Sequence, residues 1–191
     1  GLAILSRIPI AETKQFYITA SQDYANWKTR RILGIGIATE HGMEYFYSVH
    51  MGWWKDEDEP FEGQWERIRR ELGGGACLET YPGPVPGPVW LMGDFNSPAH
   101  VRGEGRDLIR GFGWLDSYEL ARSKDSGITV GHAIDGWREQ EDVSGMRIDY
   151  IWTSRKVPVR SSRVIFNGSC EPIVSDHYGI IVEYEPGHRC P

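Results

Sequence analysis

The sequence places polar side chains that can do acid–base or metal chemistry directly at the ends of short apolar runs. Asp94 and Asn96 follow the run WLMG and stand two positions apart. Residues i and i+2 of an extended segment point to the same side, so this spacing predicts that both side chains face one cleft. The other candidates are His50 at the end of YFYSVH, Asp149 inside RIDYIW, and Asp176 and His177 before YGIIVEY. If the corresponding strands lie side by side, these ends converge on one site.

The chemistry that such a group fits is hydrolysis of a phosphate ester. A hard divalent cation such as Mg2+ takes oxygen ligands, usually one or two carboxylates plus water and substrate phosphate, and it polarises the phosphate. An aspartate can orient or deprotonate the attacking water, and an asparagine amide can hold water or phosphate without adding repulsive charge. A histidine buttressed by an aspartate is stabilised as imidazolium and can donate a hydrogen bond to developing charge.

Structural interpretations compete with the functional one at each position. Taken alone, Asp94 and Asn96 are typical of an ordinary turn, because Asp, Asn and Pro favour turns. A lone His50 is typical of a structural histidine, and Asp149 could pair with a neighbouring arginine. A carboxylate inside an apolar strand nevertheless needs a buried partner, and His177 can supply it. Taken together, these positions favour a site over a turn.

The order of these segments resembles that of the endonuclease/exonuclease/phosphatase superfamily, which has the deoxyribonuclease I-like fold. The resemblance is carried by GLAILSRIPI, YFYSVHM, WLMGDFNSP, RIDYIW and SDHYGIIVEY, which follow one another in the family's order over nearly the whole chain. Single pieces are weak, whereas GDFN, then IDY, then SDH before a terminal strand is a specific combination. The resemblance implies an α/β (α+β) fold in four layers, an α/β/β/α sandwich of two packed β-sheets flanked by helices.

The resemblance also implies a role for each matching position. Asp94 is similar to the family's water-orienting or water-activating aspartate, and Asn96 to the asparagine beside it that contacts the phosphate. His177 is similar to the catalytic histidine, and Asp149 to the aspartate that buttresses it. His50 matches a second histidine found in the nuclease, sphingomyelinase and inositol-phosphatase branches, at the leaving group or the phosphate.

A divalent cation, Mg2+ or Mn2+, is implied as well, with Asp176 and Asp94 as its ligands. The family's first strand carries an asparagine, and the next helix and strand lead to its principal metal-binding glutamate. Both lie upstream of the segment that GLAILSR resembles, so we expect this chain to be incomplete at the N-terminus and to bind the cation weakly. A catalytically inactive fragment or a non-catalytic binding module is therefore the alternative to a phosphodiesterase, phosphatase or nuclease. The uncovered sheet of an incomplete fold also predicts self-association.

Contacts with the substrate are predicted in the loops. Trp53 and Trp137 could stack on a base, a sugar or a lipid headgroup, although packing within the protein explains a tryptophan equally well. Arg7, Arg30 and Arg31 could contact phosphate, and a surface or structural role is the alternative for each. A small molecule, a lipid headgroup and a nucleic acid therefore all stay open as the bearer of the phosphate ester.

Periodicity predicts many strands with two or three helices between them, in one domain spanning 1–191. Strands are predicted at 2–5, 16–20, 32–39, 44–51, 89–93, 127–130, 146–152, 159–166 and 178–184. An amphipathic helix is predicted over 60–72, a second near 102–111 and a short turn at 116–122. The runs 32–39 and 44–51 flank a turn with Gly42 and predict a hairpin within a central sheet.

Charge and cysteine usage bound the function further. The 191 residues carry 21 Lys and Arg against 27 Asp and Glu, a net charge of −6. This balance argues against non-specific binding of duplex DNA, because proteins that bind DNA in this way carry basic surfaces.

The three cysteines include no CxxC pair, so neither a zinc site nor a disulfide framework is predicted, and a reduced, cytoplasmic protein is expected. No apolar run reaches the roughly 18 residues of a membrane helix, and the first residues lack the features of a signal peptide.

Overall fold

The computed structural model describes residues 1–53, 55–73, 87–131 and 145–185, and within these ranges the chain forms nine strands and three helices. The strands are β1 (Ile10–Tyr17), β2 (Arg31–Thr39), β3 (Gly42–His50), β4 (Val89–Asp94), β5 (Leu115–Asp116), β6 (Ser123–Lys124), β7 (Asp149–Thr153), β8 (Val159–Ile165) and β9 (Gly179–Tyr184). The helices are α1 (Phe61–Glu71), α2 (Gly105–Gly111) and α3 (Ser117–Leu120).

These strands form two sheets. The larger has six strands in the order β1-β2-β3-β4-β7-β5, and the smaller has the order β6-β8-β9. Strands β2 and β3 pair antiparallel around the turn at Gly42, and β4 runs parallel beside β3. The predicted hairpin and its central position are therefore confirmed, as is the mixed α/β class. The four-layer arrangement and the single-domain boundary stay predictions.

Helix α1 packs on one face of the larger sheet because its apolar residues recur every three or four positions. Phe61, Trp65 and Ile68 are buried in a core that they share with Leu91 of β4 and Trp152 of β7. This core lies directly beneath the strand ends that carry the predicted site. The packing of α1 therefore holds β4 and β7 in place.

A second core lies between the two sheets and contains a buried carboxylate. Trp90 of β4 packs there against Tyr184 of β9 and close to Val159 of β8. Glu44 of β3 accepts hydrogen bonds from Trp90 Nε1 at 3.3 Å and from the Tyr184 hydroxyl at 2.6 Å. A buried carboxylate without partners is costly, and both donors satisfy it; the bond from Tyr184 also joins the smaller sheet to the larger one.

The predicted helices are confirmed with shorter bounds. The helix predicted over 60–72 spans Phe61–Glu71, and Pro60 stands at its N-cap, next to the first turn, where a missing N–H costs little. The helix predicted near 102–111 begins at Gly105, and the turn predicted at 116–122 is the single helical turn of α3. None of the helices in the described part of the chain is long and apolar enough to cross a membrane.

Two predicted strands are wrong. Residues 2–5 have no regular secondary structure, and residues 127–130 form only an isolated bridge between Val130 and Met146. A strand needs a hydrogen-bonded neighbour as well as an apolar sequence, and no described strand pairs with residues 2–5. Two further bounds differ, since β1 begins at Ile10 and ends at Tyr17, and the strand predicted from 146 begins at Asp149.

Gly93 allows β3 and β4 to approach at the residue before the site. Its φ is +135°, a conformation that side chains of other residues rarely adopt, and a Cβ there would overlap the carbonyl oxygen of Val49. Asp94 follows immediately and closes β4. Only glycine therefore fits at position 93, the residue of β4 that precedes Asp94.

We expect Gly93→Ala to lower the free energy of unfolding by about 3 kcal/mol or more, since it combines a strained φ with a steric overlap against backbone. Gly111→Ala is the matched control, because a Cβ at this last position of α2 meets no atom within 4 Å. Chemical denaturation of both variants measures the difference. Equal stabilities of the two variants would contradict the claim that only glycine fits at position 93.

Candidate active site

Three of the predicted site residues lie side by side at adjacent strand ends. The parallel pairing of β3 with β4 sets His50 opposite Asp94, and the antiparallel pairing of β4 with β7 sets Asp94 opposite Asp149. Residues opposite each other in a sheet project to the same face, so the side chains form a row with Asp94 in the middle. His50 Nε2 lies 3.5 Å from Asp94 Oδ2. The expected convergence of these strand ends is therefore observed.

His177 reaches this row from the loop that precedes β9. Its Nδ1 lies 2.9 Å from Asp149 Oδ2. The buried Thr129 fixes both segments, because its Oγ1 accepts a hydrogen bond from the Asp149 amide at 3.2 Å and its carbonyl accepts one from the Tyr178 amide at 2.7 Å. Sequence reasoning misses Thr129, since a threonine in an apolar run carries no signal for this role.

Asn96 does not share an extended segment with Asp94, contrary to the prediction from the spacing of the two residues. The strand ends at Asp94, and Asn96 has a φ of +47°, so the alternation of an extended segment does not apply. The Asn96 amide N–H donates to Asp94 Oδ1 at 2.7 Å, and its side-chain Nδ2 donates to the Met51 carbonyl at 2.7 Å. Asn96 therefore fixes the Asp94 carboxylate and the end of β3 together.

The pKa values of Asp94 and His177 are both raised, which gives the two side chains different roles near neutral pH. Burial and the neighbouring Asp149 carboxylate raise the pKa of Asp94 to about 7. The hydrogen bond to Asp149 raises the pKa of His177 to about 9. Near neutral pH, Asp94 can therefore exchange a proton while His177 is an imidazolium whose Nε2–H is left to donate.

His50 differs from His177 in its charge. Burial, and after it the positive charges of Arg30 and His177, lower the pKa of His50 to about 4, although nearly half of the side chain is accessible to solvent. His50 is therefore a neutral imidazole at neutral pH. Such a group can hold water or a phosphate oxygen without competing with a metal ion for negative charge.

Asp94, Asp149 and His177 are also the group that could hold a metal ion. One candidate ligand atom from each lies within 4.8 Å of the others. The two carboxylates fit a hard cation, and a cation would offset both the burial and the Asp149 repulsion that raise the pKa of Asp94. Asp176 is outside this group among the described residues; it is exposed and accepts a hydrogen bond from Ser175 Oγ at 3.0 Å.

The predicted substrate contacts are mostly not at the row. Trp53 is half-buried and packs against a small cluster that contains Val130 and Ile148, and Arg7 is exposed within the irregular first residues. Trp137 lies outside the described residues. Arg30 is the arginine that acts on the site, because its charge lowers the pKa values of both Asp94 and His50.

Comparison with solved structures identifies relatives of this arrangement. The chain is similar to an endonuclease/exonuclease/phosphatase family protein from Leptotrichia buccalis, with 34% sequence identity and a TM-score of 0.78 over 94% of this chain. It is also similar to a mannosyl-6-phosphatase from Bacteroides thetaiotaomicron (16% identity, TM-score 0.66) and to sphingomyelinase C from Streptomyces griseocarneus (16% identity, TM-score 0.64), each over 93% of this chain. At 16% identity the likeness is one of fold. No family model and no curated protein matches the sequence.

The match does not span those proteins completely. The chain covers 63% of the Leptotrichia protein, 67% of the mannosyl-6-phosphatase and 65% of the sphingomyelinase. The shared part includes the strands that carry the row, since nearly all of this chain is aligned.

We expect Asp94→Asn to stabilise the metal-free protein at pH 8. The folded pKa of Asp94, about 7, lies above the unfolded value, so ionisation penalises the folded state increasingly as the pH rises from about 4 through 7. The amide removes that penalty, which we expect to be on the order of 1–3 kcal/mol.

Urea denaturation in EDTA at pH 4 and pH 8 measures this effect. The gain should be present at pH 8 and largely absent at pH 4, where the aspartate is protonated in the folded protein. Glu57→Gln removes one charge from an exposed position and should change stability little at either pH. If the Asp94→Asn variant is no more stable than the parent at pH 8, the ionised Asp94 carboxylate does not destabilise the folded protein.

Proposed function

We propose that the chain is a member of the endonuclease/exonuclease/phosphatase superfamily, as its similarity to the Leptotrichia protein supports, and that it hydrolyses phosphate esters with the aid of Mg2+ or Mn2+. The observation that carries the proposal is the in-register row of His50, Asp94 and Asp149, completed by His177 at 2.9 Å from Asp149. The reaction consumes one water: a new bond forms from the water oxygen to phosphorus, and the bond from phosphorus to the organic oxygen breaks. The products are an alcohol and either a phosphomonoester, from a diester, or inorganic phosphate, from a monoester. The proposal extends to a phosphodiesterase, a phosphatase or a nuclease, since these share the chemistry.

Asp94 holds and activates the attacking water. In the metal-free protein, burial and the Asp149 carboxylate raise its pKa to about 7. A bound cation would lower that pKa and keep the carboxylate ionised, which is the form that accepts a proton. The hydrogen bond from the Asn96 amide to Oδ1 orients the carboxylate and leaves Oδ2 facing His50. The water then attacks the phosphorus in line with the leaving alcohol.

His177 stabilises the negative charge that develops on the phosphate oxygens. Its Nδ1 is occupied by Asp149, so the imidazolium Nε2–H is the donor available to the substrate. Asp149 fixes the ring orientation and the charge. His50, as a neutral imidazole, assists at the phosphate or at the leaving group.

A divalent cation would be held by Asp94 and Asp149, with Asp176 as a further candidate ligand. When bound, it polarises the phosphate and offsets the negative charge of substrate and carboxylates. The resident residues position the water and the imidazolium on either side of the phosphate.

The second candidate is a non-catalytic binding module or an inactive fragment. It is favoured by the position of Asp176, a predicted metal ligand that lies outside the described cluster of Asp94, Asp149 and His177. If the chain is an enzyme, its net charge of −6 favours a lipid-headgroup phosphodiesterase or a sugar-phosphate phosphatase over a nuclease of duplex DNA.

Turnover of a bis-aryl phosphodiester and of an aryl phosphomonoester, with Mg2+, with Mn2+ and with EDTA, tests the proposal. We expect metal-dependent turnover that Asp94→Ala and His177→Ala each reduce by about 10²–10⁴-fold in kcat/KM, the range for a lost acid–base or charge-stabilising group. His41→Ala is the matched histidine control, because His41 lies in the β2–β3 turn at the opposite end of β3 from His50.

Two outcomes decide between the candidates. Turnover that is unchanged in both Asp94→Ala and His177→Ala would show that these residues do not take part in the reaction. No turnover by the 191-residue chain, together with turnover by a chain extended upstream, would favour the inactive-fragment alternative.

Self-association is a separate proposal about partners. The outer edge of β1 pairs with no described strand, and apolar side chains at and before it are exposed, among them Leu5, Ile8 and Ile10. Unpaired edges and exposed apolar patches favour association between copies. The association would cover this edge and bury those side chains.

Sedimentation or light scattering at increasing concentration measures the association. We expect oligomers that Ile10→Lys weakens by at least about 10-fold in dissociation constant, since it places a charge at the edge. Val174→Lys places the same charge on an exposed apolar residue of the loop before His177 and should have little effect. A monomer at high concentration would contradict the proposal.

A further inference from the structure

An open cleft of about 480 Å³ lies beside the row and shares His50 with it. Arg30, Arg31, Tyr24 and Trp27 also line it, and none of the described lining residues is acidic. The chain as a whole carries a net charge of −6, so this lining is positive in an otherwise acidic protein. The cleft therefore suits an anionic ligand that also contacts the row.

The backbone of Arg30 is fixed at the base of the β1–β2 loop. Its carbonyl accepts a hydrogen bond from the Ile18 amide at 3.0 Å, and its own amide donates to Thr19 Oγ1 at 3.0 Å. The buried Glu59 accepts hydrogen bonds from the Ala20 and Ser21 amides, at 2.9 and 3.0 Å. The backbone of Arg30 is thus fixed before any ligand binds, so the side chain starts from a defined place beside the row.

The Arg30 guanidinium itself is not committed to a protein partner. It is half-buried, yet it forms no hydrogen bond or ion pair with the described residues. Its charge is close enough to lower the pKa values of Asp94 and His50. Arg31, in contrast, donates to the Tyr24 hydroxyl at 2.7 Å and lies over the Tyr17 ring. A half-buried, unpaired guanidinium next to a hydrolytic row is available for phosphate oxygens.

Part of the cleft lining is aromatic. Tyr24 and Trp27 are each 78% exposed, which is unusual for side chains of this size in a folded protein. Lys28 lies over the Trp27 ring at 5.6 Å, and its ammonium is paired with Asp56 and Asp58. Exposed aromatic faces beside a cationic group are typical of surfaces on which flat ligands stack.

From these contacts we infer that Arg30 binds the nonbridging oxygens of the scissile phosphate, while the cleft beside it binds the organic group of the ester and favours one with a flat, aromatic face on Trp27. The inference rests on the proposed phosphate-ester function and specifies its substrate class. Arg30 supplies charge and the fork geometry of a guanidinium, and Trp27 supplies stacking area.

Binding of two non-hydrolysable phosphonates, phenylphosphonate and methylphosphonate, tests the inference without requiring turnover. Dissociation constants come from ³¹P NMR titration of the 191-residue chain, in Mg2+ and in EDTA. The wild type should prefer phenylphosphonate by at least about 5-fold, the low end of the range for stacking on an aromatic side chain. Trp27→Ala should abolish that preference and leave methylphosphonate binding unchanged.

The arginine is tested with the same ligands. Arg30→Gln should weaken both phosphonates about equally, by roughly 10-fold or more, because a charged hydrogen bond to the shared phosphonate is lost. Arg30→Lys keeps the charge without the fork and should fall between Arg30→Gln and the wild type. Arg163→Gln removes an exposed arginine from β8 in the smaller sheet and should leave both constants unchanged. Thermal unfolding of each variant verifies that it is folded.

Each outcome bears on the inference. Unchanged phosphonate binding in Arg30→Gln overturns the role of Arg30, and a phenyl preference that persists in Trp27→Ala overturns the role of the cleft. The absence of binding by the wild type overturns both. If the phosphonates bind as expected but no ester is hydrolysed, the proposed function fails while the binding site stands.

Discussion

Two carboxylates held opposite each other at the ends of β4 and β7 set the electrostatics of the whole site. Backbone pairing fixes Asp94 against Asp149, and partial burial keeps water from screening them fully. Two positively charged side chains lie next to them: His177 bonds to Asp149, and Arg30 is close enough to lower the pKa of Asp94. Both signs of charge are therefore concentrated in a small space, which is the condition for binding a cation and a phosphate together.

Other buried carboxylates in the described chain are satisfied in a way that Asp94 is not. Glu44 accepts hydrogen bonds from Trp90 and Tyr184, and Asp116 forms an ion pair with Arg147 at 2.7 Å. Each of these carboxylates joins segments of the fold through donors that occupy it. Asp94 accepts one backbone hydrogen bond and faces a like charge, an arrangement that costs stability and is typical of functional sites.

Much of the site could be predicted because its residues follow apolar runs that become neighbouring strands. The ends of 44–51, 89–93 and 146–152 do meet, and their register puts His50, Asp94 and Asp149 in a row. The alternation rule fails at Asn96 because β4 ends two residues earlier, and only the φ of +47° shows this. Features that depend on tertiary hydrogen bonds, such as the anchoring by Thr129, leave no pattern in the sequence. The strand predicted at 2–5 fails because an apolar run does not specify its own partner.

The loop between β1 and β2 is anchored at its base, where Ile18 and Thr19 bond to Arg30 and Glu59 caps the next two amides. It is anchored again at Lys28, which pairs with Asp56 and Asp58. Between these anchors the chain is held by short local turns, such as those in which Asp23 accepts from the Ala25 amide and Asn26 from the Lys28 amide. The segment between these anchors can therefore accept insertions and exchanges of sequence without moving the row of His50, Asp94 and Asp149. Such a division between a fixed row of side chains and a variable loop beside it would let one scaffold diversify its ligands by changes in a single loop.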